Sequence, residues 1–348
     1  MTRVKIAVAG VGAIGRRHIE LIQASAACDL VAVVDPVAAD PAYLASLGVA
    51  QFSSLGELFA QQLPDGVILA TPNALHVQQA IECIEAKVAA LVEKPLAHSV
   101  AEGRRLAELA TQAQARILVG HHRAHSPTLA RARQIIGDGL LGDLVAVQGS
   151  ALFYKPDTYF DAAPWRRQLG GGPILINLIH EIGNLRSLCG EVVAVQALQS
   201  NAARGFPVED TVAISLRFAN GMLGSFMLSD SAACARSWEQ TSQENTDYAF
   251  YDDEDCYVIS GKQGSLSVPT LRLKTYPGTE DRSWFTPFEC STAAVQPGDP
   301  LALQLEHFCA VIRGEVAPLV TVDDGLRNLI VVEAIAEAAR TGALITIE

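Results

Sequence analysis

Apolar positions change their spacing partway along this chain, and the change divides it. From the N-terminus, short apolar runs alternate with stretches of helical period. The runs "VKIAVAG" (4–10), "DLVAVVD" (29–35), "DGVILATP" (65–72), "ALVEKPL" (90–96) and "RILVGHH" (116–122) read as buried strands. Between them, "GRRHIELIQAS", "SSLGELFAQQL", "NALHVQQAIECIEAKV" and "SVAEGRRLAELATQAQ" repeat apolar residues at the period of amphipathic helices. Strands without alternation, joined by helices, predict an α/β domain with a doubly wound parallel sheet covered on both faces.

After His122 the rhythm is different. A helix over 126–139 and a long strand over 143–155 lead to a glycine-led helix, "GGGPILINLIHEIGNL" (170–185). Strand runs then follow at hairpin spacing: "TVAISLRF", the turn "ANG", "MLGSFMLSD", "DCYVISGKQGSLSV" and "TLRLKTYP". Two helices, near 301–313 and 323–341, precede a last strand at 344–348. This half predicts an α+β domain with a large, open, mostly antiparallel sheet. The expected division is 1–123 for the parallel-sheet domain and 124–348 for the second.

Composition narrows the partners. A chain of 348 residues exceeds one ordinary core, in line with two domains. The net charge of −12 argues against nucleic acid and anionic membrane surfaces. No apolar run approaches the ~18 residues of a spanning helix, and "MTRVKIAVAG" enters a strand without the order of a signal peptide. Seven cysteines are scattered and never spaced C-x-x-C, which predicts reduced thiols and a cytoplasmic protein.

"GVGAIG" follows the first strand and opens the first helix, so Gly10, Gly12 and Gly15 fit G-x-G-x-x-G. The first glycine permits a tight turn, the second lets backbone approach a pyrophosphate, and the third lets helix and strand pack closely. Helix N-terminal amides, those of Ala13 and Ile14 among them, then face the diphosphate. Asp35 ends the second strand and can accept hydrogen bonds from ribose hydroxyls. Its charge would repel a 2′-phosphate, so NAD is the expected cofactor. Arg16 and Arg17 keep NADP as the alternative. Two further strand ends converge on the same crevice: Thr71-Pro72-Asn73, with His76 in the following helix, and Glu93-Lys94-Pro95.

These features in this order resemble the Gfo/Idh/MocA oxidoreductases, the family of glucose–fructose oxidoreductase and inositol dehydrogenase. The resemblance covers nearly the whole chain. On a wheel of ~100° per residue, Asn177, His180 and Asn184 form a polar stripe opposite Ile174, Leu178, Ile182 and Leu185. The resemblance implies that His180 and Lys94 are catalytic and face the substrate carbon beside the nicotinamide. An unperturbed imidazole titrates near ~6.5, which suits His180 as the base for a substrate hydroxyl. Lys94 would hydrogen-bond the same oxygen. The chain departs from the family in two places. Ile176 stands where many members carry an aspartate four residues before the histidine, and Gly183 stands at a second common aspartate.

The resemblance also implies substrate contacts. Arg123 keeps one of two basic residues common after the last strand of the first domain. Lys155, Tyr159, Trp165, Arg166 and Asn177 lie on or beside the loop that closes on substrate in the family. His121, His122 and His125 invite a metal reading, but no acidic second shell accompanies them, and no metal is expected. The reading is therefore an NAD-dependent enzyme interconverting a ring secondary alcohol and ketone on a sugar, sugar acid or cyclitol. The alternatives are a cis-dihydrodiol dehydrogenase of an aromatic acid, glycoside cleavage by transient oxidation, and a nucleotide-sensing regulatory protein. Family members commonly pair through the open sheet, so a homodimer or homotetramer is expected.

Overall fold

The chain alternates β1 (Val4–Ala9), α1 (Ala13–Ala24), β2 (Cys28–Val34), α2 (Pro41–Leu47), β3 (Ala50–Phe52), α3 (Leu55–Gln61), β4 (Gly66–Leu69), α4 (Asn73–Ala86), β5 (Ala89–Glu93), α5 (Val100–Gln112) and β6 (Ile117–Gly120). The computed structural model describes residues 2–38, 40–280 and 282–347. All the pairs among these six strands are parallel, in the order β3-β2-β1-β4-β5-β6. Every residue of β4, β5 and β6 is buried, which is why their sequences show no alternation. The strand order reverses between β1 and β4, so a ligand crevice opens at the carboxyl ends there. The short β3 and the Asp40-capped α2 were not visible as periodic segments.

The second unit contains α6 (Pro127–Gly137), β7 (Leu144–Tyr154), α7 (Asp157–Asp161), α8 (Pro173–Ile176), α9 (Leu178–Cys189), β8 (Val192–Ser200), β9 (Thr211–Phe218), β10 (Leu223–Ser229), β11 (Ser231–Arg236), α10 (Trp238–Thr241), β12 (Tyr257–Gly261), β13 (Gly264–Val268), β14 (Arg272–Thr275) and β15 (Glu289–Thr292). The chain closes with α11 (Pro300–Arg313), α12 (Val322–Thr341) and β16 (Ile345–Thr346). Glu348, the end of the expected last strand, lies outside the described residues. The sheet runs β15-β14-β13-β12-β7-β10-β9-β8-β16, with β11 also on β7. Its pairs are antiparallel except β7–β10, as the sequence predicts for a mostly antiparallel sheet. Leu129 and Ile135 of α6, Ile179 and Ile182 of α9, and Ile335 of α12 bury one face against Ile214, Phe226, Tyr257 and Ile259. The other face leaves Leu198, Leu223 and Met227 exposed.

The compact units are Met1–His125 with Pro300–Leu329, and Ser126–Asp299 with Ile330–Glu348. The sequence assigned everything after residue 123 to the second domain, whereas Pro300–Leu329 belongs with the first unit. Gly66 explains part of this. A Cβ there would lie 2.6 Å from Ile312 Cδ1 and 3.0 Å from the Phe308 ring, so its absence seats α11 on β4. Arg116 also donates to the Ile312 carbonyl (2.8 Å), and the Val119 N–H donates to Val320 (3.0 Å). Among the described residues, no helix is long and apolar enough to cross a membrane.

Candidate active site

The turn between β1 and α1 has the steric form that its glycines predict. Gly10 has φ +88°, and a Cβ there would meet the Ala70 carbonyl oxygen at 2.5 Å. A Cβ on Gly15 would lie 1.9 Å from the Gly10 oxygen. Gly12 differs from both, because a Cβ there meets nothing within 4 Å. The packing of the chain thus does not require a bare residue at Gly12. No side chain caps α1, so the amides of its first turn, Ala13 and Ile14 included, remain for an anion. Asp35 follows β2 and accepts N–H bonds from Val11 (3.0 Å) and Val37 (2.9 Å). Those two bonds fix the carboxylate and leave lone pairs for ribose hydroxyls. Arg16 donates to the Val11 carbonyl and lies 4.4 Å over the Tyr43 ring, while Arg17 pairs with Glu20. These residues fit the adenosine and diphosphate of NAD.

The other two strand ends carry side chains with protein partners. The Thr71 hydroxyl donates to Gln79 (2.6 Å), while Pro72 and Asn73 are exposed at the start of α4. His76 and Glu93, expected at the cofactor, are instead buried, at 1% and 6% exposure. His76 Nδ1 lies 2.8 Å from the Pro95 carbonyl and Nε2 2.9 Å from the Thr71 carbonyl. Glu93 Oε1 lies 2.8 Å from His18 Nε2, and Oε2 accepts the Lys94 N–H at 3.2 Å. Burial would raise the Glu93 carboxyl, but the His18 bond and the nearby Lys94 charge outweigh it and hold it below the usual range. Lys94 itself is part-exposed and leads into a cis peptide with Pro95.

Beyond β6, a short 3₁₀ turn spans His122–His125. Arg123 within it is 4% exposed. Burial, assisted by the Arg123 charge, pushes the His122 imidazole down to about 3, so this ring is neutral at working pH. His121 lies 3.3 Å from the Asn328 amide, and the centroid of the His125 ring lies 5.1 Å from that of His307, the two planes tilted by 59°. Among the described residues, no group of three His, Cys, Asp or Glu side chains is placed to hold a metal.

In the second unit the glycine-led segment is two helices rather than one. The break falls at Asn177, which ends α8 and begins α9. Each glycine before it has its own cause. Gly170 has φ +89°, a Cβ on Gly171 would lie 2.5 Å from the Trp165 carbonyl oxygen, and one on Gly172 would overlap the Glu209 carboxylate. Glu209 uses that space to accept the Ile174 N–H (3.1 Å). Burial raises its carboxyl above the usual value.

The break at Asn177 also creates a polar cluster. Lys155 Nζ donates to Asn177 Oδ1 at 2.7 Å, and the His180 N–H donates to the Asn177 carbonyl at 3.2 Å. Lys155 is also 3.7 Å from Asp230, which holds Arg204 at 2.9 Å. The Tyr159 ring lies between two cations, with Lys155 Nζ 4.7 Å and the Arg166 guanidinium 3.8 Å from its centroid. Arg166 also donates to the Tyr159 carbonyl (2.6 Å). Trp165 is 57% exposed. Burial, only partly opposed by Asp230, lowers the Lys155 ammonium to about 8. His180 is 8% exposed. Asn184, the third member of the predicted stripe, turns into the core and donates to the Tyr257 hydroxyl (3.1 Å), which in turn donates to Glu181. The sequence reading missed His18, Glu181, Arg204, Glu209 and Asp230. Of these only His18 left a local signal, as a polar residue on the buried side of α1.

Residues 4–121 match the family model described as "Oxidoreductase family, NAD-binding Rossmann fold", and residues 129–267 match the GFO/IDH/MocA C-terminal domain. The chain belongs to the Gfo/Idh/MocA oxidoreductase family. Its relatives include the rhizopine catabolism protein MocA of Rhizobium meliloti, 29% identical over 64% of this chain and 70% of that protein. The 1,5-anhydro-D-fructose reductase of Ensifer adhaerens is 25% identical over 88% and 87%. Among solved Gfo/Idh/MocA structures, the WlbA dehydrogenase from Bordetella pertussis in complex with NADH and UDP-GlcNAcA is 26% identical, with a TM-score of 0.77 over 100% of this chain and 99% of that one. The chain is thus an oxidoreductase with an NAD-binding Rossmann domain.

Proposed function

We propose that this oxidoreductase interconverts a secondary alcohol and a ketone on the ring of a sugar, a sugar acid or a cyclitol. The observation that carries the reading is the Lys155–Asn177 pair at the start of the His180 helix. Asn177 stands next to the position of the family's missing aspartate and cannot take a proton. Its carbonyl oxygen is already committed to Lys155, so its amide N–H groups are what it offers a ligand. With Lys155 and Arg166 it forms a donor-rich, cationic surface suited to the oxygens of a polyol or a carboxylate. Relatives named reductase and inositol 2-dehydrogenase, and the solved relative holding UDP-GlcNAcA, support a carbohydrate or cyclitol.

NAD, when bound, would supply the hydride acceptor, or the donor in reverse. His180 takes the proton of the substrate hydroxyl. Lys94, on the first unit, would donate a hydrogen bond that stabilises negative charge developing on a substrate oxygen. Gly12, the first turn of α1 and Asp35 would hold the diphosphate and ribose of NAD. Pairing of chains through the uncovered sheet face belongs to the same reading.

The test is a screen at 340 nm, with NAD and NADP side by side, against sugars, sugar acids, inositols and aromatic dihydrodiols. Turnover on a member of the first three groups is expected. Lys94→Ala and His180→Ala should each lower kcat by roughly 100-fold or more while NAD binding, read by calorimetry, stays close to wild type. Turnover only on dihydrodiols would overturn the substrate class. Full activity in either folded variant would overturn the assignment of that residue.

A further inference from the structure

Two buried histidines of the first unit, His18 and His76, have no part in hydride transfer, yet both bear on Lys94. We propose that His18 and His76 are positioning residues that clamp the Lys94–Pro95 dipeptide from its two ends, each fastening it to a turn at the cofactor crevice. The proposal rests on the reading of Lys94 as the donor to the substrate oxygen.

The clamp has two arms. On the first, Glu93 folds back so that Oε2 accepts the Lys94 N–H at 3.2 Å, while Oε1 meets His18 Nε2 at 2.8 Å. His18 lies on α1, one turn beyond Gly15, and is 1% exposed. On the second arm, His76 Nδ1 lies 2.8 Å from the Pro95 carbonyl and Nε2 2.9 Å from the Thr71 carbonyl; both oxygens only accept, so each bond needs an N–H on the facing nitrogen, and a singly protonated ring makes one of the two at a time. His76 lies in the first turn of α4, just after Thr71-Pro72-Asn73. One arm therefore starts from the helix that follows the glycine turn, and the other from the turn that ends β4. Gly120 makes room for the first arm, because a Cβ there would lie 2.9 Å from Glu93 Cα and 3.1 Å from its carboxyl carbon.

At position 76 a rigid ring presents two polar atoms at a fixed separation, whereas at position 18 only Nε2 has a partner among the described residues, Glu93. A carboxylate buried as deeply as Glu93 needs a donor that cannot swing away, and the imidazole supplies one. The lysine side chain remains mobile at its tip, but its root is fixed to elements that shape the nucleotide site. A displacement of about 1 Å at such a root can cost roughly 100-fold in rate without any loss of binding.

Two paired substitutions test the clamp. An asparagine amide falls near the position of Nδ1 and a glutamine amide near that of Nε2. His76→Asn thus keeps the bond to Pro95, while His76→Gln keeps only the bond to Thr71. Similarly, His18→Gln keeps a donor for Glu93 and His18→Leu keeps none. The direct readout is trace acetylation of Lys94 by acetic anhydride, quantified by mass spectrometry on the whole protein with NAD bound. It needs no substrate. Several-fold changes in Lys94 labelling are expected for His76→Gln and His18→Leu, with near-wild-type labelling for His76→Asn and His18→Gln. On a substrate found by the screen, kcat should follow the same order, falling roughly 10- to 100-fold, with KM for NAD little changed. Equal Lys94 labelling for His76→Asn and His76→Gln in folded protein would overturn the proposal, because support of the fold alone does not distinguish the two arms. If instead Lys94→Ala turns over normally, the reading of Lys94 fails, and the labelling contrast still decides the clamp.

Discussion

Asp35 and Lys155 each carry a charge whose consequence can be measured. The Asp35 carboxylate is oriented by the Val11 and Val37 amides and, in the reading above, accepts ribose hydroxyls. Hydrogen bonds to a charged group contribute about 1.5–3 kcal/mol each. Asp35→Ala should therefore weaken NAD roughly tenfold or more by calorimetry and NADP much less, since the charge that opposes a 2′-phosphate leaves with it. An unchanged preference would reduce Asp35 to a turn residue. Lys155 offers a pH dependence. Its ammonium is lowered to about 8 mainly by burial, with Asp230 opposing and Arg166 and Arg204 assisting. The fold thus holds a charged Lys155 at a cost that is present below about 8 and relieved as pH rises from there toward the unfolded value of 10.5. If the cation meets the substrate, KM for a sugar acid should rise as pH passes about 8, and Lys155→Met should abolish that rise. A KM flat in pH for the wild type would place Lys155 outside the substrate contacts. Such residue roles were only partly legible. The nucleotide residues are neighbours in sequence and obey a known spacing. His18 and Glu93 are 75 positions apart, and nothing local announces their pairing.

At the scale of elements, "GGGPILINLIHEIGNL" shows how far periodicity reaches. Its apolar repeat marked a helix and placed Ile174, Leu178, Ile182 and Leu185 in the core, where they are. It did not mark the break at Asn177, because the apolar period continues across it. The glycines are explained by distant groups, and they differ in a testable way. A Cβ on Gly171 meets backbone, at 2.5 Å from the Trp165 oxygen and 2.6 Å from Arg166 Cα. Neither atom can move alone, so Gly171→Ala should cost about 1–3 kcal/mol in urea melts, as overpacking does. The three atoms nearest to a Cβ on Gly172 all belong to the Glu209 carboxylate. The cost of that Cβ is the loss of the bond to Ile174, and in a Glu209→Ala background Gly172→Ala should cost almost nothing. Equal costs in both backgrounds would show that Glu209 is not what Gly172 accommodates. The same reasoning covers α11. The sequence reading placed a helix near 301–313, but the bare surface of Gly66 that helps to seat it on β4 lies far away in the chain.

At the scale of the molecule, the second sheet carries an exposed apolar row, and the net charge of the chain bears on whether copies associate through it. Register puts Leu198 of β8 opposite Ala213 of β9, and Ala213 opposite Met227 of β10, so the three form one row across the sheet. The neighbouring row is Gln196, Ser215 and Ser225, small or flexible polar residues that leave the surface flat. Leu198 is 71% and Met227 41% exposed. A face of this kind can form an isologous pair if about 800 Å² is buried per partner, as in stable interfaces of standard size. Each chain brings a net charge of −12, so association must work against long-range repulsion. Two results should follow in sedimentation velocity at micromolar concentration. The wild type should sediment as a dimer or larger, and more so at 0.5 M salt, where the repulsion is screened. Leu198→Glu with Met227→Glu should shift it to monomer while NAD affinity is unchanged, since neither substitution touches the nucleotide unit. A wild type that sediments as monomer at every salt concentration would remove this face from the account of assembly.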